Sequence, residues 1–144
     1  MAESKLAKYI RKGISTEESR HPEITAPRLK TQGGKDFGSI DFSMHWSAIT
    51  QPFRMVPEPH NHDFEQYLIF TGGGSNPADL GGEVELMLGE DKENMEKFVF
   101  TEATSVFIAK GLYHGPLTFR KINDPAKPIM FIDLFFTPEY IRKT

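Results

Sequence analysis

Cysteine is absent from the 144 residues, which removes disulfides, thiol nucleophiles, iron–sulfur clusters and zinc-thiolate sites together. Any metal must then be held by nitrogen and oxygen. Long apolar runs are missing too: Tyr67–Phe70, Val106–Ala109 and Ile129–Ile132 reach only four residues each. Neither a membrane-spanning helix nor the apolar centre of a secretory leader can be built from them, and the start MAESKLAKYIRKG has none, so a cytoplasmic protein with no membrane partner is expected. An excess of positive charge is lacking as well. Lys plus Arg number 17 against 20 Asp plus Glu, a net charge of −3, which gives no electrostatic footprint for a nucleic-acid backbone and predicts no nucleic-acid partner. What is abundant is phenylalanine, 12 residues in a chain that is 38% hydrophobic, the composition of one ordinary globular domain.

Residues 3–12 place Leu6, Tyr9 and Ile10 at helical spacing, with Gly13 where a left-handed cap ends a short helix. From Ser15 to Asp36 the chain is charged and interrupted by Pro22 and Pro27, so residues 1–37 read as an arm outside the core. From Ser39 the period becomes two: Ile40, Phe42, Met44, Trp46 and Ala48 alternate with Ser39, Asp41, Ser43, His45 and Ser47, predicting a strand with the first set buried. Further short strands are expected at 53–56, 64–71, 83–88, 95–100, 104–109, 116–120 and 128–136, and Thr137-Pro138-Glu139 predicts a final helical turn over 138–143. About eight strands without an intervening long helix imply an all-β sandwich or barrel spanning 38–144.

The segment Pro59-His60-Asn61-His62-Asp63-Phe64-Glu65-Gln66 enters a strand, and period two puts His60, His62, Phe64, Gln66, Leu68 and Phe70 on one face. Two imidazoles and an amide oxygen thus share a largely apolar face, and histidines at i and i+2 can both reach one ion about 2.0–2.1 Å away. Downstream, Ala109-Lys110-Gly111-Leu112-Tyr113-His114-Gly115-Pro116 is a turn that delivers His114 to the start of the next strand.

Together these two segments resemble the two motifs of the cupin superfamily over about residues 38–137. Three residues separate His62 from Gln66, six separate Gln66 from Gly73, and two separate Gly111 from His114, as in the family pattern. The departures are Arg54 and Ala103 at the leading glycines, Gln66 at the family's Glu ligand, Ala109 at its Pro and Thr118 at its Asn. The resemblance implies a double-stranded β-helix (jelly-roll) barrel, here with a short N-terminal helical arm, holding one divalent transition metal ion (Mn, Fe, Co, Ni, Cu or Zn) on His60, His62, Gln66 and His114. Glu65 is the alternative to Gln66, although strand parity puts it with Asn61, Asp63 and Tyr67 on the opposite face.

A three-His, one-Gln shell is neutral and leaves a divalent ion its full charge, which favours Lewis-acid chemistry on an anion. The implied function is a metal-dependent enzyme for a small anionic or enolizable compound, by isomerase, lyase, decarboxylase or dioxygenase-type chemistry. The alternative is a non-catalytic metal-bearing binding or sensor module, because fold does not fix function. Three further residues are candidates for the chemistry. Asp133, among Phe side chains, is either a general base with a raised pKa or a charge paired with Arg54 or Arg120. Arg120, an even offset from His114, can face the cavity and bind a carboxylate. Tyr113 can donate a proton at the cavity mouth or form its rim. His45, on the polar face of its strand, reads as solvated. A homodimer is expected, since the Leu6, Tyr9 and Ile10 stripe needs covering.

Overall fold

The computed structural model describes residues 4–38 and 40–138. Among the described residues ten strands run β1 (Ser15–Glu17), β2 (Arg28–Gln32), β3 (Ser43–Ile49), β4 (Phe53–Val56), β5 (Gln66–Gly72), β6 (Gly82–Gly89), β7 (Glu96–Phe100), β8 (Thr104–Ile108), β9 (Tyr113–Ile122) and β10 (Ile129–Phe135). They form a six-stranded sheet in the order β1-β2-β3-β10-β5-β8 and a four-stranded sheet in the order β4-β9-β6-β7, with every pairing antiparallel. A one-turn helix, α1 (Gly33–Asp36), follows β2.

The aromatic-rich composition is spent between the two sheets. Phe70 of β5 stacks on Phe131 of β10, centroids 5.0 Å apart and planes 17° from parallel, and Phe119 of β9 meets both rings from the other sheet at 6.1 and 5.8 Å. Ile49, Leu68, Val84, Leu86, Leu117 and Ile129 complete this buried cluster. It needs no ion to hold it together, since burial of this apolar surface is the main driving force of folding.

The strands β4 to β10 lie where period and punctuation place them, but three N-terminal expectations are corrected. The expected helix over 3–12 is only a 3-10 turn at Ala7–Tyr9. The segment read as an arm outside the core instead adds β1 and β2 to the larger sheet and sends Ile24 into the core. Short polar strands are stable there because β3 already offers a pairing edge, a tertiary fact that propensity does not carry. The third correction concerns the faces of β3: Ser43, His45, Ser47 and Ile49 are buried, whereas Met44, Trp46 and Ala48 are only half-buried. Between β2 and β10 the strand turns its polar side to the interior, where a cavity lies. The expected final turn at 138–143 lies, apart from Pro138, outside the described residues. No helix among the described residues is long and apolar enough to cross a membrane.

Candidate metal centre and its cavity

His60 and His114 are brought together by an antiparallel bridge: His60 N donates to His114 O at 3.0 Å and His114 N donates to His60 O at 2.9 Å. Directly opposed residues project side by side, and the two ring centroids are 4.2 Å apart. His62, two residues on, points the same way, with its ring 4.9 Å from His60 and 5.1 Å from His114. Its carbonyl accepts from Gly111 N at 3.0 Å, and Gly111 adopts φ +84°, so the glycine turn before His114 is tied to the His60–His62 segment. All three histidines are buried, and a nitrogen of each lies within 4.8 Å of one of each of the others. Nitrogens each about 2.1 Å from one ion lie about 3–4 Å apart, so a small ring rotation closes the set. The His114 Nδ1 is 3.2 Å from the Leu112 carbonyl oxygen, which can only accept; Nδ1 then carries the proton and Nε2 keeps the lone pair for an ion.

Gln66 opens β5 on the same face as the histidines and is 2% exposed, while Glu65 is exposed on the other side. The Gln66 amide Nε2 donates to Asp133 Oδ1 at 2.5 Å, and its Oε1 is buried with no hydrogen-bond partner. A carboxylate fixes which end of the amide faces it, and Gln66 lines the void that His60 and His114 also line. Three imidazoles and an orphaned amide oxygen are a donor set that fits a divalent ion.

Asp133 sits in the row that runs Lys30, His45, Asp133, Leu68 and Val106 across the six-stranded sheet. Burial pushes its carboxyl up to about 6, against the Gln66 hydrogen bond and the charge of Arg28, which both pull it down. It pairs with neither Arg54 nor Arg120: Arg54 Nε donates to Thr118 Oγ1, and Arg120 lies against Glu83 and Glu85.

Arg120 and Tyr113 are not brought to the site. Between His114 and Lys121, β9 carries two extra residues relative to β6, one at the Leu86/Leu88 register shift and one at the Glu83/Val84 shift. The first, at Gly115-Pro116, makes Leu117 and Phe119 the buried residues after His114, and leaves Arg120 exposed on the outside despite its even offset. Pro116 inside an expected strand was the available signal, since proline inside sheets marks edges and bulges. Tyr113 faces away from His114 by parity and packs under Lys92, whose Nζ is 5.7 Å from the ring centroid.

In their place stand residues that sequence reasoning passed over. A cavity of about 250 Å³ beside the triad is lined by Arg20, His21, Arg28, His45, Met55 and His60, among others, and Asp133 borders it too. His45 is therefore buried rather than solvated, its imidazole held near a pKa of about 4, chiefly by burial and then by the Arg28 charge. His21 is lowered as well, chiefly by burial. Arg28 Nη2 donates to Glu17 Oε1 across the β1–β2 pair, and Lys30 Nζ donates to Glu17 Oε2 at 2.5 Å. Those contacts, led by the Lys30 hydrogen bond, pull the Glu17 carboxyl down to about 2.

No family model matches the sequence and no curated protein matches it. Among solved structures, oxalate decarboxylase of Bacillus subtilis shares the fold. A structure concerned with that enzyme's Mn(II) centres superposes with a TM-score of 0.57 at 10% identity over 90% of this chain. A Trp-to-Phe variant gives 0.58 at 9% over 90%, and a structure concerned with its substrate binding mode gives 0.55 at 11% over 82%. This chain spans only 29%, 29% and 27% of those chains. Its fold is therefore that of the cupins. The three-histidine group stands where the resemblance in the sequence places it.

Proposed function

We propose that this chain is a metal-dependent enzyme acting on a small anionic or enolizable organic compound. The observation that supports it best is Gln66: it lines the void of His60 and His114, its buried Oε1 is orphaned, and its other end is bonded to Asp133. A divalent ion held by His60, His62, His114 and Gln66 supplies Lewis acidity, undiminished by any charged ligand. The four donors come from two chain segments joined by the His60–His114 bridge, so they are fixed before a substrate arrives. Asp133 borders both the triad void and the larger cavity, which makes it the group placed to hold or move a proton. The Mn(II) centres named for oxalate decarboxylase favour manganese among the candidate ions. Isomerase, lyase, decarboxylase and dioxygenase-type reactions all suit such a centre.

The test is metal content after purification without added metal, followed by His60→Ala and His114→Ala. Each substitution is expected to lower metal affinity by a factor of about 100 or more. The apo protein should still melt cooperatively, because the Phe70–Phe119–Phe131 cluster is held by packing between the two sheets and needs no ion. Unfolding at room temperature on chelation would make the ion structural and remove the main support for an enzyme.

A further inference from the structure

We infer that Arg28 is the carboxylate-recognising residue of this site, and that the ligand is a compact carboxylic acid whose anionic end lies on Arg28 and whose second oxygen-bearing end faces the histidine triad. The triad end rests on the metal reading above; the Arg28 end stands on its own geometry. Arg28 Nη2 is committed to Glu17, which fixes the guanidinium in the wall of the cavity. Its Nε is buried and has no hydrogen-bond partner. Buried N–H groups of this kind are satisfied in nearly all folded proteins, and the acceptor that suits a guanidinium best is a carboxylate.

Continuity of space supplies the next step. The cavity that holds Arg28 and Arg20 shares Met55, Val56, His60 and Asp133 with the void at the triad, so one molecule can occupy both. The fixed charges agree. Arg20 and Arg28 face a single lining carboxylate, Asp133, whose Oδ1 already accepts from Gln66, and the nearby Lys30 is tied to Glu17. Met55, Val56 and Pro57 give an apolar wall for a short carbon skeleton. At about 30 Å³ per water-sized group, a cavity of about 250 Å³ holds about eight non-hydrogen atoms, the size of a short dicarboxylate or keto acid.

The probes are succinate and its neutral analogue succinamide, titrated calorimetrically into the full chain, both loaded with Mn(II) and chelated. Succinate is expected to bind both forms, and succinamide about tenfold more weakly or worse. Arg28→Gln should weaken succinate about tenfold in both forms while leaving Mn(II) affinity unchanged, and Arg120→Gln should change neither. Arg28→Lys, which keeps the charge beside Glu17 but has no Nε–H, should lose several-fold, and it carries the test if Arg28→Gln does not fold. Wild-type affinity in the Arg28 variants, a loss in Arg120→Gln instead, equal binding of succinamide, or no binding of succinate by the wild type would each overturn the inference. Arg28-dependent binding by a chain that takes up no metal would leave the inference standing and sink the metal reading; Mn(II) uptake with succinate indifferent to Arg28 would do the reverse.

Discussion

Gln66 and His45 show how a single buried side chain sets a measurable property of the site. The Gln66 amide is held by Asp133 through its nitrogen, so its oxygen is the donor left over. Gln66→Glu puts an anionic oxygen in the same place while its second oxygen shares a proton with Asp133, and Mn(II) affinity should rise about tenfold or more, with poorer binding of anionic ligands because the centre is less positive. Glu65→Gln, on the exposed side, should leave metal affinity unchanged; a large loss there with Gln66→Glu inert would reverse the assignment. His45 predicts a pH effect. Its folded-state pKa, about 4, lies below the ordinary value of 6.5, so between those values the unfolded chain binds the proton that the folded chain refuses. The groups facing it act in opposite senses, Arg28 and Lys30 lowering the value and Glu17 raising it, with burial the largest cause. Its stabilising contribution is complete above pH 6.5 and lost as pH falls towards 4, amounting to about 3 kcal/mol at most. Urea unfolding of the chelated protein at pH 7 and pH 5 should show a steeper loss in the wild type than in His45→Gln. Equal slopes would mean that His45 is protonated in the fold as readily as out of it.

At the scale of elements, the decisive feature is the start of β9. Gly115 has φ +102°, and a Cβ there would lie 2.8 Å from the Glu58 carbonyl oxygen and 2.8 Å from Val56 Cγ1. Gly115→Ala should therefore cost about 2–3 kcal/mol in unfolding free energy and also lower metal affinity, since strain at Gly115 is passed to His114 next to it. A variant with wild-type stability and metal binding would show that the bulge has no part in aiming His114. The same bulge explains what the sequence does and does not reveal. The parity that groups His60, His62 and Gln66 is legible because their even offsets survive the bend at Asp63–Phe64 that leads into β5, and His114 is legible because a glycine turn marks its arrival. Arg120 was misplaced because one extra residue inverts every face that follows. β1 and β2 escaped notice because strands of three and five residues, rich in charge and set off by Pro22 and Pro27, are defined by the edges of β2 and β3 respectively and not by their own pattern. The inverted faces of β3 have the same origin: an apolar set implies a buried face only if the interior beside it is apolar, and here that interior is the polar cavity of His45, Arg28 and Asp133.

On the scale of the whole molecule, the polar interior leaves apolar side chains outside. Across the outer face of the six-stranded sheet, Met44, Leu134, Tyr67 and Phe107 fall in one row and Leu29, Trp46, Ile132 and Ile69 in the next. Tyr67, Phe107 and Phe136 form a ring cluster there, with exposures of 38%, 47% and 44%, and centroids 5.4 Å apart for Tyr67–Phe107 and 6.2 Å for Tyr67–Phe136. Leu6, Tyr9 and Ile10 are exposed by 66%, 66% and 63% at the N-terminal side. Exposed aromatic clusters on a sheet face mark interaction sites, and a patch shared by two copies is self-complementary about a two-fold axis. A net charge of −3 offers little repulsion against such pairing. The expected outcome is a homodimer, measured by sedimentation as twice the 16.4 kDa chain. Phe107→Glu, which places a carboxylate on the sheet face far from the cavity lining, should give a monomer that still binds Mn(II). Deleting residues 1–14 should weaken association or lower the melting temperature, because it removes the second apolar surface. A wild-type chain that sediments as a monomer at tens of micromolar would show that this face is covered by something other than its own copy, and unchanged association and melting on deletion would show that the N-terminal side chains cover nothing.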